Sequence, residues 1–431
     1  MDKRDIPLLI KGGEVFDGSG RRRREDLLVS RGRIYDAAPE IPAAEGWRVI
    51  DATGMAVLPG LVDAHVHLRE PGYSYKETIK CGTRAAARGG FTSVCPMPNL
   101  NPVPDSIEAL GEQLDIIRRD AAVEVLPYAS ITRGRLGAEP VDFTALAPLV
   151  AGFSDDGSGV QDAAVMRLAM KEVAATGKVL AAHCEVEALL NKGYIHAGRY
   201  ARANGHRGIS SESEWREVER DIRLAAQTGC SLHICHVSTA ESVRLVRQAK
   251  ERCLPVTCET AAHYLAFCED DLQEDGRFKM NPPLRSASDR QEIVRGLADG
   301  TIDIIASDHA PHSAEEKSRG LEKSAMGVTG LELSLPAAYT YGVLAGHFSM
   351  ERLVELMALA PRRIFGIDGG IAKDSRADIT VVDLRENFKV NPDEFLSKGK
   401  ATPFEGLALN GRVKATIAGG VLAYTAPEIS L

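Results

Sequence analysis

The run Val57-Leu58-Pro59-Gly60-Leu61-Val62-Asp63-Ala64-His65-Val66-His67 decides how this chain is read. Taken as one strand, its side chains alternate, so His65 and His67 project together from the strand end. Two imidazoles so placed can grip one divalent metal. HxH pairs also occur in surface strands. This one gains weight because lone ligand-type residues recur at later strand ends.

From 57 to 365, apolar strand-like segments alternate with amphipathic helical ones. The strand segments are 57–67, 91–97, 123–130, 149–155, 178–183, 231–237, 254–260 and 301–308. Eight strands, each followed by a crossover, is the count of a (β/α)8 TIM barrel in the α/β class. A doubly wound open sheet is the competing arrangement. No GxGxxG and no GxxxxGK with Ser or Thr follows an early strand, which counts against a nucleotide-binding version. Ser74 with Glu77, Ser211 with Glu214, Ser238 with Glu241 and Ser288 with Gln291 predict capping boxes. Glycines at Gly89-Gly90, Gly177, Gly229 and Gly300 predict helix ends. Residues 1–56 and 366–431 hold short β-like pieces, each small for a core of its own. Pairing them gives a small β-sandwich domain built from both chain ends, around a barrel at 57–365.

The chain has 52 Lys and Arg against 60 Asp and Glu, a net charge of -8. That balance disfavours nonspecific nucleic-acid binding and requires local positive groups around any anionic substrate. No stretch reaches the ~20 apolar residues of a membrane span. The opening MDKRDIPLLIKGGEVFDGSG lacks an apolar signal region, so the cytoplasm is the expected compartment. Eight cysteines include no CxxC pair. Cys95, Cys184, Cys235 and Cys258 sit in or beside apolar runs and read as buried, reduced, small hydrophobes.

Barrel enzymes keep their sites at the C-terminal strand ends. There the chain places His65, His67 and Arg69, then Asn99, Asp155-Asp156, His183, His236 and Asp308. His233 and His236, three apart on a strand, are expected to face opposite ways. His236, nearer the C-terminal end, is the ligand candidate and His233 the structural one. His196, His206, His263 and His347 fall in loops or helices and read as structural. For Asp155 and Asp156, capping of the turn at Gly157 is the competing role. A carboxylate such as Asp308 beside a metal suits general acid/base work.

The segments DAHVHLREPG, VCPMPN, FSDDG, AAHCE, ICHVST, MNPPLR and ASDHAPHSAEEK resemble, in order, the motifs of class I dihydroorotases of the amidohydrolase superfamily. The resemblance implies two zinc ions per chain. His65 and His67 would bind one, Asp156 would bridge, and His183 and His236 would bind the second. Asp308 would sit at the metal as the catalytic acid/base. His67, Arg69, Asn99, Asn281 and His312 would hold the substrate, with the backbone at Met326-Gly327 closing over its ring. The implied reaction is reversible cyclisation of N-carbamoyl-L-aspartate to L-dihydroorotate, in pyrimidine (UMP) synthesis. Pro96, Leu100, Val186 and the TAAHYL run at His263 depart from the usual pattern. They remove no implied ligand and bear on substrate preference.

Two other readings compete. Hydantoinases and allantoinases are sister enzymes that bridge their metals with a carboxylated lysine, whereas the matching strand here carries FSDDG. A non-catalytic barrel scaffolding aspartate carbamoyltransferase would have lost ligands that this chain keeps. The expected partners are the small-molecule substrate, a second copy of the chain in a homodimer, and aspartate carbamoyltransferase as a candidate. Neither nucleic acid nor membrane is expected.

Overall fold

A computed structural model of the chain, describing residues 6–20 and 22–429, breaks the run 57–67 at Gly60. Ala56–Pro59 pairs antiparallel with Ile379–Lys389 and parallel with Leu8–Phe16. Leu61–Val66 instead begins a separate parallel set. Close packing explains the break. A Cβ at Gly60 would lie 2.3 Å from the Thr92 methyl. The Gly60 N–H donates to Asp378 O at 2.8 Å, and its carbonyl accepts from the buried Arg362 guanidinium at 2.9 Å.

Both chain ends enter one eight-stranded sheet. Its order is Val421–Thr425, Ala408–Ala418, Ile379–Lys389, Ala56–Pro59, Leu8–Phe16, Arg22–Ser30, Arg33–Ala38, with Arg48–Asp51 also paired to Leu8–Phe16. Its core joins Leu8, Ile10, Val29 and Ile50 to Ile379, Val381 and Ile417. Neither end buries this surface without the other.

The middle of the chain is mixed α/β with parallel strands. Leu61–Val66 pairs with Phe91–Pro96, which pairs with Glu124–Val125. Tyr128–Ala129, Gly152–Phe153, Val179–Ala182, Ser231–Ile234, Val256–Ala261 and Ile304–Ala306 each pair with the next. The two sets meet twice. Residues 124–129 bond to 91–96 through Leu126 N to Val94 O, and to 152–153 through the Tyr128–Ala129 pairing. Val66 bridges His309 in parallel. Each expected segment contains strand, although 149–155 keeps only Gly152–Phe153.

Between Asp63 and Val66 the pairing register shifts. Val62 and Ala64 pack in the inner cluster with Tyr128, Cys235 and Ala306, but Leu61 and Val66 pack with the surrounding helices. The irregularity resets the alternation, so His65 and His67 face inward while Val66 faces out.

Helix starts depart from expectation. Thr78 rather than Ser74 caps Ile79–Arg88, accepting from Cys81 N. Thr239 rather than Ser238 caps Ala240–Glu251. The box on Ala287–Asp299 is Ser286 with Asp289, not Ser288 with Gln291. Ser211 stands at the N-cap of Glu212–Thr228 without a side-chain bond. The reason is tertiary: Glu214 accepts from Ser238, Thr239 and Ser242, and Glu77 from Ser397 and Lys398. Gly177, Gly229 and Gly300 do end their helices in left-handed conformation. Among the described residues no helix is long and apolar enough to cross a membrane.

Candidate active site

The carboxylate of Asp156 is a meeting point for residues from the other strand ends. Its Oδ1 lies 3.3 Å from His65 Nε2, 3.6 Å from His183 Nδ1 and 3.5 Å from His236 Nε2, and its Oδ2 lies 3.6 Å from His67 Nε2. Asp308 Oδ1 is 3.3 Å from His67 Nε2 and 3.6 Å from His65 Nε2. Asp156 is therefore shared: His65, His183 and His236 approach its Oδ1 and His67 its Oδ2, with Asp308 beside His65 and His67. The facing nitrogens of His183 and His236 are 2.9 Å apart.

Left-handed backbone aims three of the candidates: φ is +33° at His236, +45° at Asp308 and +61° at Arg69. Such conformations cost about 1–3 kcal/mol each and gather at functional sites. The turn at His236 also undoes the expectation that His233 and His236 diverge. Both reach the same interior, with His233 Nε2 3.3 Å from Glu259, one layer below the cluster.

Burial alone would raise the Asp156 pKa, but the His65 charge and the close approach of His183 and His236 hold it well below the carboxylate range. Burial likewise opposes ionisation of Asp308, and His67 with the charges of His65 and His236 lowers it. Burial would lower the pKa of His65, yet Asp156 and Glu259 raise it well above its usual value. For His183 the same contest, won by Asp156 and Glu185, brings it to about 10. The field draws positive charge onto these ring nitrogens.

His65 Nε2 and Asp156 Oδ1 are buried without a hydrogen-bond partner among the described residues. Ligand atoms of His65, Asp156 and His236 lie within 4.8 Å of one another, as do those of His65, His67 and Asp308. Buried, unpartnered nitrogen and oxygen donors at this spacing fit a divalent metal. A third grouping, His65 with Cys235 and Glu259, is different. There Glu259 already engages His65 Nδ1, and burial pushes the Cys235 thiol up to about 12.

A cavity of about 220 Å³ is lined by every other candidate residue except Asp155, with His65 fully buried beneath it. Arg69 Nε donates to Pro311 O at 3.3 Å. His312 Nε2 lies 2.7 Å from Met326 O, so that nitrogen carries the proton and Nδ1 accepts from Lys76 Nζ at 3.2 Å. Burial, then the charges of Arg69 and Lys76, push the His312 pKa to about 3, and the ring is neutral near pH 7. Arg69 Nη2 approaches the protonated nitrogen at 3.4 Å, a contact that occupies no guanidinium donor. Asn281 Nδ2 donates to Glu185 at 3.1 Å, while its Oδ1 is buried without a partner among the described residues. Asn99 Oδ1 sits 2.9 Å from His67 Nδ1, which leaves His67 Nε2 directed at the two aspartates. At Gly327, φ is +130° and a Cβ would lie 2.6 Å from Ala310 O.

Asp155 turns away, accepting from Ile131 N at 2.8 Å and Thr132 N at 3.2 Å. Glu259 was not singled out by sequence, yet it bonds His65 Nδ1 at 2.6 Å. Burial would raise its pKa, but His65 and His233 hold it far below the usual range. A glutamate inside the apolar strand Val256–Ala261 was the available signal. Glu185, inside the AAHCE run, lies 3.5 Å from His183 Nε2. His263 is only 2% exposed and lies outside the cavity lining, and burial lowers its pKa to about 4.

A family model described as dihydro-orotase-like matches residues 54–242. The dihydroorotase of Bacillus cytotoxicus is 47% identical over 419 residues, covering 96% of this chain and 98% of that protein. The dihydroorotase of Bacillus anthracis is 46% identical with the same coverage. Among solved structures, L-hydantoinase from Arthrobacter aurescens superposes with a TM-score of 0.87 at 27% identity, over 98% of this chain and 97% of that one. Dihydropyrimidinase from Brevibacillus agri gives 0.84 at 22% identity over 97% and 95%, a likeness of fold.

Proposed function

The chain belongs to the dihydroorotase family, and from that membership we propose that its site interconverts N-carbamoyl-L-aspartate and L-dihydroorotate, a step of pyrimidine synthesis carried out in the cytoplasm. It is a cyclic amide hydrolase. Within the family we assign it to class I. We read its eight parallel strand segments as a (β/α)8 barrel, and the sheet of both chain ends as a β-sandwich joined to it at Gly60.

One observation carries this reading: four imidazoles converge on a single buried carboxylate, Asp156, three at Oδ1 and one at Oδ2. His65 and His67, with Asp156 and Asp308, would hold one zinc, and His183 and His236, with Asp156, a second. When bound, zinc supplies Lewis acidity, polarising the amide carbonyl and making water acidic enough to ionise near neutral pH. A carboxylate oxygen of Asp308 then takes the proton given up by water in ring opening and passes it to the departing ring nitrogen. Cyclisation reverses the transfer. Arg69 presents a planar fork to the substrate carboxylate. Asn281 Oδ1 is free to accept a ring N–H. Neutral His312 holds the Met326 carbonyl, and Asn99 keeps His67 in the needed tautomer.

The hydantoinase-type folds favour a second reading, activity on hydantoin or allantoin. Against it, an aspartate stands where those enzymes use a carboxylated lysine. Turnover of L-dihydroorotate, hydantoin and allantoin, measured beside zinc content, decides. Preference for dihydroorotate with two zinc ions per chain is expected. Preference for either other ring overturns the assignment, and a zinc-free, inactive protein points to a scaffold.

A further inference from the structure

We propose that Lys317 is a positioning residue whose buried ammonium staples together the two chain segments that contact substrate, so that substrate affinity depends on it. The inference rests on the reading of Asn281 and Gly327 as substrate contacts. Lys317 ends the short helix Ala314–Lys317, just past His312, and is 7% exposed. Its Nζ donates to the carbonyls of Lys279 at 3.0 Å, Ala325 at 2.8 Å and Gly327 at 2.7 Å. An ammonium has three N–H bonds, and all three are used.

The acceptors are not scattered. Lys279 lies two residues before Asn281, and Ala325 and Gly327 flank Met326. The Gly327 N–H also donates to Lys279 O at 3.0 Å, so that oxygen ties the segments twice. Three carbonyl oxygens converging on one point repel one another unless a cation lies between them. No carboxylate forms an ion pair with Lys317 among the described residues. Burial first, then the Lys279 ammonium, lower the Lys317 pKa to about 7, against the charges of Asp275 and Glu316, which raise it. The three carbonyl acceptors favour the ammonium form. Gly327 packs too close to Ala310 for a Cβ, and Lys317 holds its carbonyl.

The test uses the zinc-loaded, full-length protein carrying Lys317→Met or Lys317→Gln. Readouts are KM and kcat for L-dihydroorotate, zinc content and amide exchange at residues 325–329. Lys317→Met should raise KM on the order of tenfold, the scale of a lost charged hydrogen bond, with kcat and zinc little changed and exchange at Gly327 accelerated. Lys317→Gln, keeping two donors without charge, should give a smaller rise. It decides by the same criteria if the Met variant does not fold. A KM within about twofold of the parent, a fall in kcat alone, or unchanged exchange at Gly327 each overturns the staple. Asn281→Ala separates the two ideas. If it raises KM while Lys317→Met does not, only the staple is wrong; if neither moves KM, the substrate assignment itself fails.

Discussion

Glu259 Oε1 lies 2.6 Å from His65 Nδ1, beneath the cavity, while its Oε2 lies 3.3 Å from His233 Nε2. The carboxylate fixes which nitrogen of His65 carries the proton and leaves Nε2 facing Asp156 and Asp308. Partners of this kind orient metal ligands and make them more basic. Glu259→Gln is therefore expected to weaken zinc binding about 10–100-fold. Competition against a chelator measures this, and unchanged affinity would mean that Glu259 only fills the core.

Asp308 lies beside His67 at the mouth of the site, ionised by its neighbours. Asp308→Asn keeps the shape but cannot carry the proton. Turnover should fall about 10²–10⁴-fold with zinc largely retained. A loss below about tenfold would show that the proton moves by another route.

Arg69 reaches the cavity through strained backbone and is tethered to Pro311. Arg69→Ala should raise KM on the order of tenfold or more while zinc content stays constant, as expected for a lost charged hydrogen bond. Arg69→Lys should recover little, because a point charge does not reproduce the fork. Equal KM values for the parent and Arg69→Lys would argue against bidentate capture of the substrate carboxylate.

His196 offers a pH test away from the metal site. It is 9% exposed, and burial, then the Arg285 charge, pushes its pKa down to about 4. The unfolded chain takes up this proton near the ordinary 6.5, the folded chain only near 4. Its contribution is thus full above 6.5 and lost as pH falls toward 4. Between pH 7 and 4.5 the parent should lose about 2–3 kcal/mol more stability than His196→Gln in urea titrations. Matching losses in the two proteins would sink the assignment.

Local strand signals made much of the site legible. HVH, FSDDG, AAHCE, ICHVST and SDHAPH each put a polar residue just past an apolar run, and the fold gathers those residues at Asp156. Alternation was less reliable. His65 and His67 face inward only after the register shift at Asp63–Val66, and His236 joins the cluster only through a left-handed turn. The capping boxes failed for a related reason. Glu77 and Glu214 found better donors in distant segments, which spacing along the chain cannot reveal.

Residue types and their order, written in the sequence alone, determined which chemistry this protein carries: imidazoles, carboxylates and one arginine at successive strand ends. Tertiary structure alone decided which of them meet, that Asp155 turns aside while Asp156 is shared, that Glu259 bonds His65, and that Lys317 bonds the carbonyls of Lys279, Ala325 and Gly327. A side chain's direction is set by the phase of its own backbone, and its partners come from segments far along the chain, 194 residues for Glu259 and His65 and 320 for Ser397 and Glu77. Neither is encoded in local spacing.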